Sequence, residues 1–336
     1  MSKIVKILVI RFSSIGDIVL TTPVVRCIKQ QLPNVELHFC TKQAYHTVIS
    51  SNSYIDKIYL LNSTIRELIG RLRVERYDYI IDLHNNFRTS LIKAVLNTRS
   101  FTVNKLNLRK WLYVTFKADV MPRQHLVNRY LATALPLGVR DDGLGLDFFI
   151  NPDDHVNVNQ LPSTHRFGYV AYAIGGRHAT KRLPVSRMIE LCQKIGKPVI
   201  LLGDGDDRQV GEQVVDAVGS GLVYNACGHY NLSQSASLLQ QSKVVFSHDT
   251  GLMHIAAALG KKVYSIWGNT TPQLGMYPYR TPHVVLEKLG LPCRPCSKLG
   301  STKCPAGHFK CMNELRFAFN SGDLEGVNGT AMAQNK

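Results

Sequence analysis

The chain has 336 residues, of which 45% are hydrophobic and 19% charged, so it is a globular protein long enough to form two domains. No apolar run approaches the roughly 20 residues of a membrane-spanning helix, and the apolar stretch at residues 5–10 is too short for a secretory signal. We therefore expect a cytoplasmic protein. Forty Lys and Arg against 24 Asp and Glu give a net charge of +16, which favours anionic partners.

Most of the excess positive charge lies in residues 1–140, which hold 21 basic and 8 acidic side chains. Residues 141–336 hold 19 and 16 and are nearly balanced. Such a basic half favours nucleic acid, an acidic membrane surface or a phosphorylated glycolipid, and a basic surface kept only for solubility is the alternative. Neither a zinc finger nor an RNP1 pattern is present, so we do not expect a nucleic-acid partner.

The first half of the chain alternates between strand and helix patterns. Residues 6–12 form an apolar run typical of a buried parallel strand, which is followed by the loop of residues 13–17 and a helical pattern. Pro23 fits a first helical turn, so that helix begins near Thr22 or bends there. Further strands are predicted at residues 36–41, 57–61, 77–84 and 101–104.

The second half repeats this alternation after a polar boundary at residues 151–166, which predicts domains at residues 1–152 and 165–319. Both are expected to be doubly wound, Rossmann-like α/β domains that face each other across a cleft, since ligands bind beyond the carboxyl ends of such strands. Residues 320–336 lack an apolar stripe and are predicted to be disordered. The predicted strands are 167–174, 197–202, 222–225, 243–247 and 262–267, and the predicted helices are about 185–195, 207–218, 233–241 and 251–259.

Asp17 is a candidate general base. It lies in the Ser13-Ser14-Ile15-Gly16-Asp17 loop at the end of the first strand, where a carboxylate can accept a proton from an acceptor hydroxyl. The alternative is that Asp17 only caps a helix.

The segment from Ser247 to Gly260 predicts a strand that ends at Ser247, followed by an Ala-rich helix with a glycine stop. The N–H groups at the start of this helix, around Thr250 and Gly251, suit a diphosphate, while Asp249 suits sugar hydroxyls. His254 lies one turn later on the same face and can reach the same ligand. The alternative is a capped helix with a core histidine.

Two further loops at strand ends are candidates for donor binding. Gly175 and Gly176 precede a polar loop in which Lys181 can neutralise phosphate oxygens, and the alternative is an exposed basic loop. Neither the P-loop nor the GxGxxG spacing is present, so nicotinamide cofactors are not expected. Gly203 and Asp204 can hold a nucleoside, although the following aspartates also suit a helix start.

Together these motifs resemble glycosyltransferase family 9, the ADP-heptose:lipopolysaccharide heptosyltransferases. The resemblance extends over nearly the whole chain as five ordered matches. They are residues 7–23, 77–89 (YDYIIDLHNNFRT), 125–131 (HLVNRYL), 181–184, and 249–260 with 265–268.

The resemblance implies a GT-B fold and an inverting transfer without a required metal, from a nucleotide sugar held by the second domain to an anionic lipopolysaccharide inner core at the inner membrane. It makes Asp17 the general base and Lys181 the diphosphate ligand. The loop of residues 203–207 departs from the family pattern, because it offers aspartates where a glutamate commonly reaches the ribose, so ADP rests on the resemblance alone. The resemblance also assigns Ser13, Ser14 and Gly16 to the acceptor loop, and Asp249, Thr250, Gly251 and His254 to the donor site.

Two other functions remain open: another sugar-nucleotide enzyme of the GT-B fold, such as an epimerase, and a basic nucleic-acid-binding protein.

A cluster of four cysteines, Cys293, Cys296, Cys304 and Cys311, has a spacing that permits a closed structural zinc site. Disulfides are disfavoured in a reducing cytosol, and similar cysteines are common in the resembling family without a catalytic role. We therefore favour reduced, packed thiols over zinc.

Overall fold

The computed structural model describes residues 3–325, which form two compact units. Unit 1 comprises residues 3–107 and 123–149, and unit 2 comprises residues 108–122 and 150–325. The segment 108–122 therefore belongs to unit 2, although its neighbours in the chain on both sides belong to unit 1.

Unit 1 is built on a five-stranded parallel sheet with the strand order β3-β2-β1-β4-β5. The chain order reverses between β1 and β4, so the loops after these two central strands lie side by side, where an open α/β sheet commonly binds its ligand. The strands are β1 (Val5–Ile10), β2 (Val35–Lys42), β3 (Lys57–Leu61), β4 (Tyr79–Asp82) and β5 (Ser100–Thr102).

The helices of unit 1 cover this sheet because β1 is apolar on both faces. Residues 7–10 are completely buried, and Leu8, Ile10 and Phe12 pack in one core with Ile80 and Ile92. The helices are α1 (Ile15–Val19), α2 (Thr22–Gln31), α3 (Ile65–Val74), α4 (Phe87–Leu96) and α6 (Leu126–Leu131), while α5 (Asn107–Phe116) begins at the last residue before the unit 2 segment.

Unit 2 is built on a six-stranded parallel sheet with the strand order β11-β10-β9-β6-β7-β8. Its central pair is β6 and β9, where the chain order again reverses. The strands are β6 (Val170–Ala173), β7 (Val199–Leu202), β8 (Val223–Asn225), β9 (Val245–His248), β10 (Val263–Trp267) and β11 (His283–Glu287). The helices are α7 (Val185–Ile195), α8 (Arg208–Val218), α9 (Leu232–Gln241), α10 (Gly251–Ala258) and α11 (Lys310–Asn313).

The core of unit 2 is closed by the end of the described chain. Phe246 of β9 stacks on Tyr264 of β10 with ring centroids 4.5 Å apart, and Phe319 packs edge-on against both rings. Met312 and Leu315 are also buried in this core. The last part of the described chain therefore covers the apolar face of the sheet.

The predicted α/β class and Rossmann-like alternation are confirmed by the two parallel sheets. The helix after the first loop begins at Thr22 with Pro23 in its first turn, and α1 precedes it as a separate short helix. Of the predicted disordered tail, residues 326–336 lie outside the described residues, whereas Ser321–Leu324 form a 3-10 turn with Leu324 buried. Among the described residues, no helix is long and apolar enough to cross a membrane.

Candidate active site

Asp17 lies in the first helical turn after β1, where Ser14 and Arg11 hold its carboxylate. The backbone N–H and the hydroxyl of Ser14 donate to Oδ2 at 3.2 and 3.0 Å, and the Arg11 guanidinium meets Oδ1 at 2.7 Å. Gly16 is buried inside the same helix. The Asp17 side chain keeps about 20% of its surface exposed, so it is oriented and still within reach of a ligand.

Arg11 connects the two central loops of unit 1. Its Nε donates to the carbonyl oxygen of Ser13 at 2.7 Å, and one terminal nitrogen donates to the carbonyl oxygen of Leu83, just after β4, at 2.7 Å. The sequence analysis assigned Arg11 no role. A charged residue inside the otherwise apolar run of residues 7–12 was the signal that could have identified it.

Asp82 ends β4 and His84 lies in the loop after it, and both are beside Arg11. Asp82 is fully buried and its charge is compensated, because its Oδ1 accepts from the N–H groups of His84 and Asn85 at 3.0 and 2.7 Å and its Oδ2 lies 2.8 Å from Lys93 Nζ. Burial, followed by the positive charge of Arg11, lowers the pKa of His84 to about 4, so this imidazole is neutral at pH 7. Asp17, with about 20% of its side chain exposed, is therefore more accessible to a ligand than the fully buried Asp82.

Lys181 and Asp249 meet in unit 2. Lys181 Nζ lies 2.6 Å from Asp249 Oδ2, and the hydroxyl of Thr270 donates to the same oxygen at 3.0 Å. The two side chains are 16% and 8% exposed. The sequence placed Lys181 and Asp249 in separate motifs, and the fold brings them together at the carboxyl ends of β6 and β9.

The helix α10 begins directly beside this ion pair. Thr250 is its N-cap residue, but the Thr250 side chain makes no capping hydrogen bond; its Oγ1 lies 3.4 Å from Ser247 Oγ. The backbone N–H groups of the first turn, which starts at Gly251, are therefore not satisfied by the N-cap side chain and point toward the strand ends. His254 is buried one turn further on. Such a helix start attracts anions.

Close packing within unit 2 requires glycine at positions 175 and 203, after β6 and β7. A Cβ on Gly175 or Gly203 would lie 2.5 or 2.7 Å from Asp207 Oδ2, and one on Gly176 would lie 3.4 Å from Thr250 Cγ2. The distances at Gly175 and Gly203 are too short for a side chain, whereas the distance at Gly176 is an ordinary van der Waals contact. Gly176 thus lies against the start of α10, whereas Gly175 and Gly203 both lie against the Asp207 carboxylate of the loop after β7.

The aspartates after β7 make internal contacts. Asp204 Oδ1 accepts from the N–H of Asp206 at 3.0 Å, and Asp207 accepts from Arg182 at 3.1 Å and from the N–H of Asp204 at 3.2 Å. Burial, followed by the charge of Asp204, raises the pKa of Asp207, and Arg182 opposes that shift. These contacts fix the conformation of the loop. Its backbone groups remain candidates for binding the nucleoside.

His248 and Arg294 hold the loops of this site, and the sequence analysis assigned neither a role. The N–H of Leu183 donates to His248 Nε2 at 3.0 Å, and His248 Nδ1 donates to the carbonyl of Ile174 at 3.0 Å. Burial lowers the pKa of His248 to about 4, so the ring stays neutral and joins the β6 and β9 loops. Arg294 donates to the carbonyls of Gly268 and Thr270 at 2.6 and 3.0 Å, and so fixes the segment that carries the Thr270 hydroxyl.

The four cysteines of the sequence cluster are free thiols in unit 2. Cys293 Sγ lies 3.8 Å from His308 Nε2, and Cys296 donates to the carbonyl oxygen of Cys293 at 3.0 Å. Burial, followed by the neighbouring Cys293, raises the pKa of Cys296 to about 11, and burial raises that of Cys311 to about 11. These two thiols are therefore protonated at pH 7. In residues 3–325, no three potential metal-ligand atoms of this cluster lie within 4.8 Å of one another.

Within the described residues, the side chains of Glu36, His38 and Glu75 in unit 1 do have potential metal-ligand atoms within 4.8 Å of one another. Lys6 Nζ lies 2.8 Å from Glu75, and Lys57 and Tyr59 also bond to that carboxylate. The hydrogen bond from Lys57, followed by that from Lys6, lowers the pKa of Glu75 to about 2. Lysines already compensate this carboxylate, so the cluster is a salt-bridge network.

This chain is similar in sequence and in structure to known glycosyltransferases. The model of glycosyltransferase family 9 (heptosyltransferase) matches residues 65–306. Lipopolysaccharide heptosyltransferase 1 of Campylobacter coli is 22% identical over 292 residues, covering 79% of this chain and 84% of that protein. Among solved structures, a family 9 glycosyltransferase from Veillonella parvula has a TM-score of 0.70 at 20% identity, covering 84% of this chain and 86% of its own. The Escherichia coli heptosyltransferase WaaC with ADP-2-deoxy-2-fluoro heptose has a TM-score of 0.65 at 20% identity, covering 88% and 96%.

Proposed function

This chain belongs to glycosyltransferase family 9, the heptosyltransferases of lipopolysaccharide core synthesis, and from that premise we propose that it transfers a heptose from ADP-heptose to a lipopolysaccharide inner-core acceptor. ADP is supported by a related heptosyltransferase of the same fold that binds an ADP-heptose analogue. The acceptor is an anionic glycolipid at the cytoplasmic face of the inner membrane, which suits the basic first 140 residues.

Unit 2 binds the donor in this proposal, and the Lys181–Asp249 pair beside the start of α10 is the observation that carries it. Departure of ADP builds negative charge on the diphosphate. Without a metal, the Lys181 ammonium and the first N–H groups of α10, from Thr250 and Gly251 onward, stabilise that charge. No step of this reaction is assigned to a metal.

The donor's sugar and nucleoside occupy the loops around this pair. Asp249 accepts hydrogen bonds from heptose hydroxyls, and His254 donates to the same ligand. Gly175 and Gly176 bring the backbone after β6 close to the diphosphate. The loop of Gly203 and Asp204 holds the nucleoside.

Unit 1 binds the acceptor in this proposal, along the loop of Ser13, Ser14 and Gly16. Asp17 takes the proton from the attacking hydroxyl as the new glycosidic bond forms on the face opposite the leaving ADP. The Arg11 guanidinium stabilises the ionised carboxylate that this role requires, and the two Ser14 hydrogen bonds fix its direction.

A panel of nucleotide sugars tests the donor half of the proposal. ADP-heptose should raise the thermal midpoint of the protein more than UDP-, GDP- or CDP-sugars, because a ligand at 100 times its dissociation constant adds about 2.7 kcal/mol. ADP should then be released only when a heptose-free inner-core acceptor is present. Release without acceptor would indicate a hydrolase, and conversion of the donor without release would indicate an epimerase.

A further inference from the structure

The helix α5 turns an apolar face toward solvent. Leu108, Trp111 and Phe116 are 69%, 47% and 63% exposed, and the rings of Trp111 and Phe116 meet edge-on with centroids 5.3 Å apart. Leu108, Leu112 and Phe116 recur every four residues and so lie on one side of the helix. We call Leu108, Trp111, Leu112 and Phe116 the α5 face. Amphipathic helices of globular proteins bury such a stripe, so this one is arranged for an external partner.

The opposite side of α5 is fixed to unit 2. Tyr113 is buried, and its hydroxyl lies 3.1 Å from Thr271 Oγ1. Lys117 Nζ, just beyond the helix, donates to the carbonyl oxygen of Pro295 at 2.7 Å. Because these contacts hold the helix by its other side, the outward direction of the apolar side chains is built into the fold.

The charge of the chain segment that contains α5 indicates the partner. Residues 83–140 contain ten Lys and Arg but a single acidic residue, Asp119, and Arg109 and Lys110 directly precede Trp111 in the sequence. Exposed Leu, Trp and Phe side chains next to basic ones characterise a helix that lies in the interface of an anionic membrane. A second copy of this chain would bring two strongly basic segments together, which electrostatic repulsion disfavours.

We infer that the α5 face inserts into the headgroup region of a bilayer that contains anionic lipid, with the neighbouring basic residues on the lipid phosphates. The inference deepens the proposed function, because a lipid-linked acceptor lies in such a surface. It rests on the proposed function only where it links membrane binding to transfer. The binding itself needs no acceptor.

The chain provides its own probe, since it has two tryptophans and Trp267 is 1% exposed in the core of unit 2. With vesicles of phosphatidylethanolamine and phosphatidylglycerol, the protein should cosediment, and its tryptophan emission should shift to the blue as Trp111 leaves water. Vesicles of phosphatidylcholine alone should bind it at least tenfold more weakly, since each basic residue near an anionic surface contributes roughly fivefold in affinity.

Two sets of variants separate the α5 face from the rest of the surface. Leu108→Ser with Phe116→Ser should reduce vesicle binding tenfold or more, whereas Leu144→Ser with Phe167→Ser, at residues that are 64% and 94% exposed elsewhere, should not change it. Arg109→Gln with Lys110→Gln keeps the apolar face and should weaken binding to anionic vesicles alone. If the double serine variant fails to fold, this charge variant still tests the inferred membrane binding.

Transfer assays distinguish this inference from the proposed function. The double serine variant should lose transfer to an acceptor embedded in vesicles and keep transfer to the deacylated, water-soluble core oligosaccharide. Vesicle binding without transfer to either acceptor would contradict the proposed function alone. Equal binding to both vesicle types, an unshifted emission spectrum, or a dimer that the double serine variant dissociates would overturn the lipid assignment.

Discussion

Asp17 and Lys181 each lie in an ion pair in the described structure, and both pairs bear on how these residues act. The Arg11 guanidinium stays beside Asp17 and fixes the carboxylate, while 20% of that side chain remains exposed to an incoming hydroxyl. Lys181 is held by Asp249 and, in the proposed function, gains a second anionic partner when a diphosphate binds. In that proposal the first pair orients the base, and the second pair pre-positions a cation at the start of α10.

Asp17→Asn tests the proposed base. The amide keeps the size of the side chain and one oxygen acceptor for Ser14, but it cannot take a proton, so turnover should fall by roughly 10²-fold or more while donor affinity persists. Steady-state rates and donor thermal shifts measure the two effects. Asp216→Asn, on the exposed side of α8, is the matched control. Normal specific activity with a lowered thermal midpoint would make Asp17 a helix cap instead.

Lys181→Ala tests the proposed diphosphate ligand. Loss of a charged hydrogen bond should weaken donor binding by roughly ten- to a hundredfold and slow transfer, and Lys181→Arg should retain part of both because it keeps the charge. Titration calorimetry with ADP measures the binding, and the exposed Lys298→Ala serves as the control. An unchanged ADP affinity in Lys181→Ala would remove the residue from the site.

Glu75→Gln tests the salt-bridge network of unit 1. Its lysine and tyrosine partners hold the pKa of Glu75 at about 2 in the folded protein, against an ordinary value of 4.5. The stabilisation is therefore complete above pH 4.5 and is lost as the pH falls toward 2. Thermal midpoints across this range should fall less steeply in the variant than in the parent. Identical slopes would contradict the assigned network.

At the scale of elements, the loops after β6, β7 and β9 form one packed set. Gly175 and Gly203 lie against Asp207, Gly176 lies against Thr250, and His248 joins the β6 and β9 loops through hydrogen bonds. The proposed donor site therefore depends on close contacts between these loops as well as on its charged residues.

Gly203→Ala and Gly205→Ala form a matched pair in one loop. A Cβ on Gly203 would lie 2.7 Å from Asp207 Oδ2 and 3.0 Å from Cys227 Sγ, whereas one on Gly205 would have nothing within 4 Å. Gly203→Ala should lower the free energy of unfolding by about 1–3 kcal/mol, and Gly205→Ala should change it little. Urea denaturation measures both. Equal stabilities would show that the loop relaxes around the added methyl group.

The order of strands and helices could be predicted because apolar periodicity and turn residues are local signals. The helix at residues 185–195 was predicted and found with the same bounds. The strand predicted at residues 77–84 is shorter, Tyr79–Asp82, because the Asp82 carboxylate turns onto the N–H groups of His84 and Asn85. Such a side-chain contact leaves no periodic signal.

Parts of the candidate site depend on contacts between distant segments and could not be predicted. Arg11 reaches the carbonyl of Leu83, 72 residues away, and Thr270 reaches Asp249 from the loop after β10. In the sequence, the apolar residues of α5 look the same as a buried stripe. Only the fold shows that Leu108 and Phe116 face solvent.

At the scale of the whole molecule, the two units carry different chemistry. The charge in the sequence is concentrated in residues 1–140, which contribute most of unit 1 and the α5 segment, while the Lys181–Asp249 pair and α10 belong to unit 2. The family relationship establishes a glycosyltransferase, and the proposed division assigns the acceptor to unit 1 and the donor to unit 2. Unit 1 variants should therefore affect transfer more than ADP binding, and unit 2 variants should affect both.

Mass spectrometry of the acceptor can show whether the protein transfers heptose from ADP-heptose to a lipopolysaccharide inner core. A heptose-free lipopolysaccharide inner core, incubated with the protein and ADP-heptose, should gain the mass of a single heptose residue for each ADP released, and the product linkage should have the anomeric configuration opposite to that of the donor. An unchanged acceptor in the presence of released ADP and free heptose, or transfer of a different sugar in preference to heptose, would contradict the account.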